Sequence, residues 1–586
     1  MKLSFRLRFP RPIVLRPADH LLARAAFWIA LGLFLWTLVE GPGTLAAEAR
    51  YQGTRSLATG QWGRLEPETP EARAVLDAEL GAVNAEGHRQ LRAPWMQLPA
   101  VPLWWLGTGL GELALDHEAA HSKSPPVFND PWIALPEGPP SDQRSEYFAH
   151  LAVGLIDPLA GAAMWILLVF TARRLGASRR ASLACAIAFG TTTFWWPQSV
   201  GHGPWVLPSL ALFAGYASAI EARARFARFE APRGRLWLSH GSATAIVFWG
   251  SPDLAPAALA CIALGLWVAI AGRRRLWSSP LLRGEAGAAK ALGDGVWIFG
   301  PWLALGALHL GWAAAAGTLD AAWPFAGAQP LWRHPEPLAR AAAVLVGPGE
   351  GLLWCAPLLA VGLWGVFAKR SERFIVGSSL ALALAVLLGA GGGAALDDGF
   401  GPGALLPALA PLWLWTATVL GPLAARRSGR LVLGATALFG LAVNGPGLAV
   451  SHPTYAHLAR AHGVALELLP NPGAAPSAQP AVEVWGEFDR DLQWDPRWAQ
   501  PWAQWRILRH RAADLPESFS LGRLFFSDAP EFASPARLRD EDFGHLAWVD
   551  LEERLGGPIW PGALLALICL GWGLAAAVSA LDPTRP

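Results

Sequence analysis

Long apolar blocks of close to 20 residues dominate this 586-residue chain. A helix that crosses a bilayer needs about 20 mostly apolar residues, so these blocks predict membrane spans. Hydrophobic residues make up 53% of the chain and charged residues only 16%, against about 25% charged in an ordinary globular protein. Twelve blocks are present: 21–39, 148–170, 181–199, 203–220, 236–252, 254–271, 295–315, 350–368, 374–393, 403–423, 430–449 and 559–580. We predict an all-α polytopic membrane protein with about twelve transmembrane helices.

Basic residues test this order, because they concentrate in the cytoplasmic loops of membrane proteins. Every cluster falls before the first block or in an even-numbered gap, so both chain ends are predicted to be cytoplasmic. The clusters lie at 6–16, 173–180, 223–235, 273–283, 369–373 and 426–430. The predicted parts are a basic cytoplasmic N-terminus (1–20), a transmembrane module (21–449) with outer loops at 40–147 and 316–349, an outer loop domain (450–558), and a last helix with a short cytoplasmic tail (559–586).

One apolar stretch, 95–115, is left out of the count, because a span there would invert every later loop. Its prolines and glycines also argue against a straight helix. We expect it to lie at the outer membrane surface, with Trp95, Trp104 and Trp105 at headgroup depth.

Two further spans leave alternatives open. Blocks 236–252 and 254–271 are joined by Asp253 alone, so they form either two spans or a re-entrant hairpin. Block 21–39 is longer than a signal-peptide core of about 7–15 residues, which favours an uncleaved anchor.

Several classes of protein are excluded by motif. The four cysteines lie inside apolar blocks without C-x-x-C spacing, which argues against a disulfide framework or a zinc site. Neither a phosphate-binding glycine loop nor a basic and aromatic nucleic-acid module is present in the sequence. The predicted cytoplasmic loops are short, so any chemistry is expected at the outer face, without a nucleic-acid partner.

Four local motifs indicate a more specific class of protein. They lie at 48–60, 191–203, 349–358 and 399–409. The first runs from an acid through a tyrosine to Gly60, and the second has three threonines before Phe-Trp-Trp-Pro and Gly-His-Gly. The third is Gly-Glu-Gly-Leu-Leu before Pro357, and the fourth is Gly-Phe-Gly-Pro before Leu-Leu-Pro. In order and spacing, these motifs resemble the GT-C superfamily of membrane glycosyltransferases. The nearest branch is similar to bacterial relatives of protein O-mannosyltransferases and of the lipid A aminoarabinose transferase.

This resemblance implies transfer of a sugar from a polyprenyl-phosphate donor to a lipid, glycan or protein acceptor. It also implies a bacterial cell inner membrane as the location. Two positions depart from the family: Glu48 stands where an aspartate is usual, and Gly403 stands where an arginine usually follows Gly-Pro. Two alternatives therefore stay open, a transporter or flippase and a catalytically inactive assembly protein of the same fold. Residues 1–290 and 291–586 lack the internal similarity that is common in transporters.

Such a transfer needs a base that deprotonates the acceptor hydroxyl and a group that stabilises the departing phosphate. Glu48 is predicted to be the catalytic base, with Glu40 as its rival. If the segment is helical, Tyr51 and Arg55 share a face and Glu48 lies next to Tyr51. We predict that Tyr51, Arg55 and His202 bind the donor.

Three other acids are predicted at the outer interface. Glu350 precedes a helix, where the positive end of the helix dipole accounts for a carboxylate. Asp397 and Asp398 are adjacent, but no histidine cluster accompanies them. We therefore predict that the protein needs no metal or other cofactor.

Overall fold

The computed structural model describes most of the predicted spans and parts of the outer loops. The described residues are 15–38, 45–61, 64–65, 81–83, 89–91, 93–118, 140–201, 203–280, 287–319, 323, 325, 330–368, 373–392, 401–449, 455, 494, 499–514 and 560–582.

Helices account for most of these residues. The first ten are α1 (Pro17–Trp36), α2 (Leu45–Ala58), α3 (Val101–Glu118), α4 (Pro140–Gly154), α5 (Ile156–Arg174), α6 (Arg179–Thr191), α7 (Trp195–Val200), α8 (Val206–Ala227), α9 (Gly234–Gly250) and α10 (Ala255–Trp277). The next ten are α11 (Ala288–Ala316), α12 (Pro337–Val346), α13 (Leu352–Cys355), α14 (Leu358–Ala368), α15 (Arg373–Ala390), α16 (Leu406–Ala424), α17 (Arg427–Asn444), α18 (Pro446–Ala449), α19 (Gln500–Asp514) and α20 (Trp560–Leu581).

The predicted all-α bundle is present, and a small antiparallel sheet accompanies it in the first predicted outer loop. Its strands are β1 (Arg64–Leu65), β2 (Gly81–Val83) and β3 (Arg89–Leu91), in the order β1-β3-β2. Leu65 pairs with Arg89 and Ala82 pairs with Gln90. Strands this short give no apolar periodicity, so the hydropathy pattern does not show them.

Eight helices in the described part are long and apolar enough to cross a membrane. They are Pro17–Trp36, Ser145–Arg174, Pro252–Trp277, Ala289–Ala316, Arg373–Ala390, Gly403–Ala424, Arg427–Leu448 and Gly562–Leu581. Each coincides with a predicted block, which supports a multi-pass membrane protein. The count of twelve stays a prediction, because the other four blocks form shorter, broken or more polar helices.

Two of those four blocks are interrupted. Block 181–199 divides into α6 and α7, and block 350–368 divides into α13 and α14. The second break follows from Pro357, because a residue before proline disfavours the helical region. Ala356 accordingly has φ −141° and ψ 62°.

The two blocks that allowed a re-entrant hairpin form the full helices α9 and α10, with 17 and 23 residues. A short 3-10 turn, Pro252–Leu254, joins them. At about 1.5 Å per residue, α10 is long enough to cross a bilayer and α9 is at the lower limit. Helix α10 is among the eight candidate spans and α9 is not, so two spans here remain a prediction.

Several arginines of the predicted cytoplasmic gaps lie at one end of the bundle. Asp19 near the start of α1 accepts hydrogen bonds from Arg173 (2.9 Å) and Arg179 (3.1 Å). Arg174 is paired with Glu221 of α8. Arg179 also donates to the carbonyl of Ala580, near the end of α20 (3.5 Å). The start of α1, the end of α20 and two predicted cytoplasmic gaps therefore lie at the same end.

The first and last spans pack directly on each other. A Cβ atom on Gly32 of α1 would lie 2.7 Å from the Ala566 carbonyl oxygen of α20, and one on Gly573 would lie 2.7 Å from the Ile29 backbone nitrogen. Small residues at such contacts let two membrane helices approach closely. Helix α16 lies at the centre, where the Trp413 indole donates to the Cys185 carbonyl (3.0 Å).

Candidate functional site

Helix α2, the first helix of the predicted outer loop, is joined to the bundle by an arginine. Arg50 Nη1 donates to both carboxylate oxygens of Asp157, at 2.8 and 2.7 Å. Its Nη2 donates to the Gly203 carbonyl at 3.4 Å. The Asp157 side chain is only 1% exposed, and a carboxylate so buried needs a charged partner. One guanidinium thus connects α2, the first turn of α5 and the Gly-His-Gly turn before α8.

This contact brings together the surroundings of three predicted site residues. Glu48 is part of α2, two positions before Arg50, although its side chain lies outside the described residues. Glu40 and His202 also lie outside them. Gly203 follows His202 directly, so the backbone on one side of His202 is in contact with α2. The roles of Glu48, Glu40 and His202 remain predictions.

Tyr51 and Arg55 share the face of α2 that packs on α4, as their spacing predicts. The Tyr51 ring stacks on the His150 imidazole, with centroids 3.3 Å apart and planes at 20°. Arg55 pairs with Glu146, one turn earlier on α4, at 3.3 Å. His150 is held by a 3.0 Å hydrogen bond between its Nδ1 and the Glu146 carbonyl. Two successive turns of α2 therefore pack on two successive turns of α4.

The environments of these two side chains differ. Tyr51 is 1% exposed and packs with Ala149, Val153 and the Trp104 ring. Burial raises the pKa of its phenol well above the ordinary value, and the Glu146 carboxylate raises it further. Tyr51 is therefore uncharged at neutral pH. The Arg55 side chain is 32% exposed, so its charge is still accessible from outside the ion pair.

The stretch 95–115 packs against α2. It forms two 3-10 turns and then the 18-residue helix α3, so the stretch is not one continuous helix, but it is helical from Val101 onward. Pro102 lies in the first turn of α3, where proline is tolerated. Gly107 and Gly111 lie against the backbone of Phe148 and Ser145 in α4. These glycines permit a close contact between two helices, and the membrane depth of the tryptophans stays a prediction.

The small sheet is attached to the bundle through Leu91 of β3. Its carbonyl accepts a hydrogen bond from the Trp312 indole of α11 at 3.0 Å. Its side chain lies against Gly53 of α2, where a Cβ atom would be 2.7 Å from Leu91 Cδ2. Helix α2 is thus held between the sheet and the end of the bundle.

The other three motifs meet at the same end. The Asn444 amide of α17 donates to the carbonyls of Thr192 (3.3 Å) and Cys355 (3.0 Å), which belong to the second and third motifs. Gly401 of the fourth motif has φ +70°, and its Cβ position lies within 3.3 Å of Phe194 and Cys355 atoms. Residues that are up to 252 positions apart therefore form one packed cluster.

Part of the predicted outer loop domain (450–558) packs on this cluster. Gln500, at the start of α19, accepts a 3.0 Å hydrogen bond from the Gly401 backbone N–H. The Trp505 indole donates to the Ala442 carbonyl at 2.7 Å. Gly403, which stands where the glycosyltransferases of the predicted resemblance usually have an arginine, is buried in a 3-10 turn. In the described region this position offers no cation to a phosphate.

An ion pair, and not the predicted helix dipole, is the main interaction of Glu350. Helix α13 begins at Leu352, and the charge beside Glu350 is the Arg340 guanidinium at 2.9 Å. Both side chains are buried, and Arg340 also donates to the Gly391 carbonyl at 3.3 Å. The pair joins α12 to the end of α15, so it accounts for Glu350 better than the helix dipole.

Within the described residues, no group of three or more His, Cys, Asp and Glu side chains could hold a metal ion. Asp397 and Asp398 lie outside those residues. The expectation that the protein needs no metal therefore stays a prediction.

Asp157 is the main residue that the motif analysis missed. It is an acid inside an apolar block, and such acids in membrane proteins mark functional or paired positions. The acid is visible in the sequence, but its pairing with Arg50, 107 positions away, follows only from the packing of α2 on α5.

No protein-family model matches this chain. A search of curated proteins also finds no match.

Proposed function

We propose that this protein is a membrane glycosyltransferase that transfers a sugar from a polyprenyl-phosphate donor to an envelope acceptor. The donor's isoprenoid tail stays in the bilayer, so the sugar lies at the membrane surface. The predicted topology makes this the outer face of the membrane. The bacterial cell inner membrane and the outward orientation belong to this proposal.

One observation carries it: Arg50 connects the acid-bearing first-loop helix to Asp157 and to the Gly-His-Gly turn. The four motifs that suggest the family are thus gathered at one end of the bundle. This is the end opposite the arginine clusters, where the positive-inside rule expects the outer face.

In the proposed reaction, an acceptor hydroxyl oxygen attacks the anomeric carbon of the donor. Glu48 takes the hydroxyl proton, a C–O bond forms, and the bond from the sugar to the phosphate oxygen breaks. Polyprenyl phosphate leaves with the bonding electron pair. Arg55 is the proposed contact for its charge, because a charge-assisted hydrogen bond to phosphate is stronger than a neutral one. Arg50 acts indirectly, by holding α2 in place.

The test uses the full chain reconstituted in liposomes with a polyprenyl-phosphate sugar, and it measures released polyprenyl phosphate. Glu48→Gln keeps the shape of the side chain but removes the base, so turnover should fall about 10²–10⁴-fold. Glu40→Gln is the matched control and should retain activity. Loss of activity in Glu40→Gln alone would identify Glu40 as the base.

A non-catalytic assembly protein of the same fold is the second candidate. Two observations favour it: Asp157 is fully engaged by Arg50, and Gly403 replaces the family arginine. Mass spectrometry of envelope glycans from a deletion strain separates the two. If deletion alters the glycans and both Glu48→Gln and Glu40→Gln restore them fully, the assembly function is correct.

A further inference from the structure

A groove lies between α10 and α11, at the arginine-rich end of the bundle. It has a volume of about 300 Å³. Ile270 and Trp277 of α10 line one wall, and Gly295 and Ile298 of α11 line the other. Ile270 is 53% exposed and Trp277 is 57% exposed. The groove is therefore apolar towards the middle of the spans and ends at an exposed indole, a side chain that favours the membrane interface.

The polar end of the groove carries a net positive charge. Arg273 Nε donates to Asp294 Oδ2 at 2.8 Å, and its Nη2 lies 2.7 Å from the same oxygen, so these two charges cancel. Arg274 also lines the groove and is exposed. Among the described residues it forms no ion pair, which leaves one positive charge at the surface.

The start of α11 adds to this charge. Its N-cap is Gly287, which supplies no capping side chain, and its first turn contains no acid. Unsatisfied backbone N–H groups and the helix dipole favour an anion at such an end.

From these features we infer that the α10–α11 groove binds an acidic phospholipid. The headgroup phosphate is paired with Arg274, and an acyl chain lies along Leu266 and Ile270. The predicted topology places this end in the cytoplasmic leaflet, where anionic lipids attract basic segments. The binding site is separate from α2, and the inference does not depend on the proposed glycosyl transfer.

Two substitutions test the headgroup and the groove separately. Arg274→Gln removes the charge, which is expected to weaken binding of phosphatidylglycerol about fivefold. A Cβ atom at Gly295 meets no atom within 4 Å, so Gly295→Leu is expected to place its side chain in the groove. The matched controls are Arg427→Gln, an exposed arginine on α17, and Gly300→Leu, another open position of α11.

Native mass spectrometry of the full chain in detergent measures the bound lipid. Phosphatidylglycerol and phosphatidylcholine with the same acyl chains are added at equal concentration. We expect preferential retention of phosphatidylglycerol, weakened by Arg274→Gln and by Gly295→Leu but not by either control. Equal retention of both lipids, equal losses in the control variants, or displacement of the lipid by inorganic phosphate would overturn the inference.

Discussion

Arg50 and Asp157 are 107 positions apart in the chain, yet the arginine donates to both oxygens of the carboxylate at 2.7–2.8 Å. The pair lies where α2, in the predicted outer loop, meets α5, and the two side chains are 12% and 1% exposed. Because Arg50 follows Glu48 by two positions in α2, the pair holds in place the helix that carries the proposed base.

Arg50→Met should lower the free energy of unfolding by about 3–5 kcal/mol, because it leaves the Asp157 charge buried without its partner. The double variant Arg50→Met/Asp157→Asn should be more stable than Arg50→Met alone, since no buried charge remains. Thermal unfolding of the detergent-purified protein gives the comparison. Additive losses in the double variant would contradict this account. Glu230→Gln is the control, because its half-exposed pair with Arg228 contributes under about 1 kcal/mol.

Arg55→Ala should raise the KM for the lipid-linked donor about 10- to 100-fold, through loss of a charge-assisted hydrogen bond. Stability should change little, because Arg55 is one-third exposed. Glu146→Gln breaks the same ion pair but keeps the arginine, so its donor KM should not rise. Steady-state kinetics in liposomes separates the two variants. An equal rise in both would show that the ion pair matters and that Arg55 does not contact the donor.

Gly107→Ala should destabilise the protein by about 1–3 kcal/mol, because the new methyl group meets the α4 backbone and cannot be accommodated by a side-chain rotation. Gly109→Ala on the same helix meets no atom within 4 Å and should gain about 0.5–1 kcal/mol. Melting temperatures of both variants test this, and a stable Gly107→Ala protein would show that α3 and α4 separate readily.

Reporter fusions test the orientation. Fusions after Arg235, Arg283 and Arg430 should give cytoplasmic signals, and fusions at Gly399 and Pro480 should give outer ones, because basic clusters stay in the cytoplasm. A cytoplasmic signal at Pro480 would invalidate the twelve-span order.

Local patterns predicted local structure well. Tyr51 and Arg55 share a face of α2 because of their i, i+4 spacing, and the eight long apolar helices coincide with predicted blocks. Such local patterns do not show which distant residues pair with each other. The sequence around Glu350 indicated only a helix start, whereas its partner Arg340 depends on how α12 packs near α15. The prolines and glycines of 95–115 argue against a straight helix, whereas Gly107 lies within α3 and permits its close contact with α4.

The contact between α1 and α20 also has a consequence for biosynthesis. The two helices are separated by more than five hundred residues, which take about half a minute to two minutes to translate at about 5–20 residues per second. During that interval the glycine-bearing face of α1 must be covered by lipid or by the insertion machinery. The contact forms only when α20 has been made, so a chain that terminates before α20 leaves the glycine-bearing face of α1 without its helix partner.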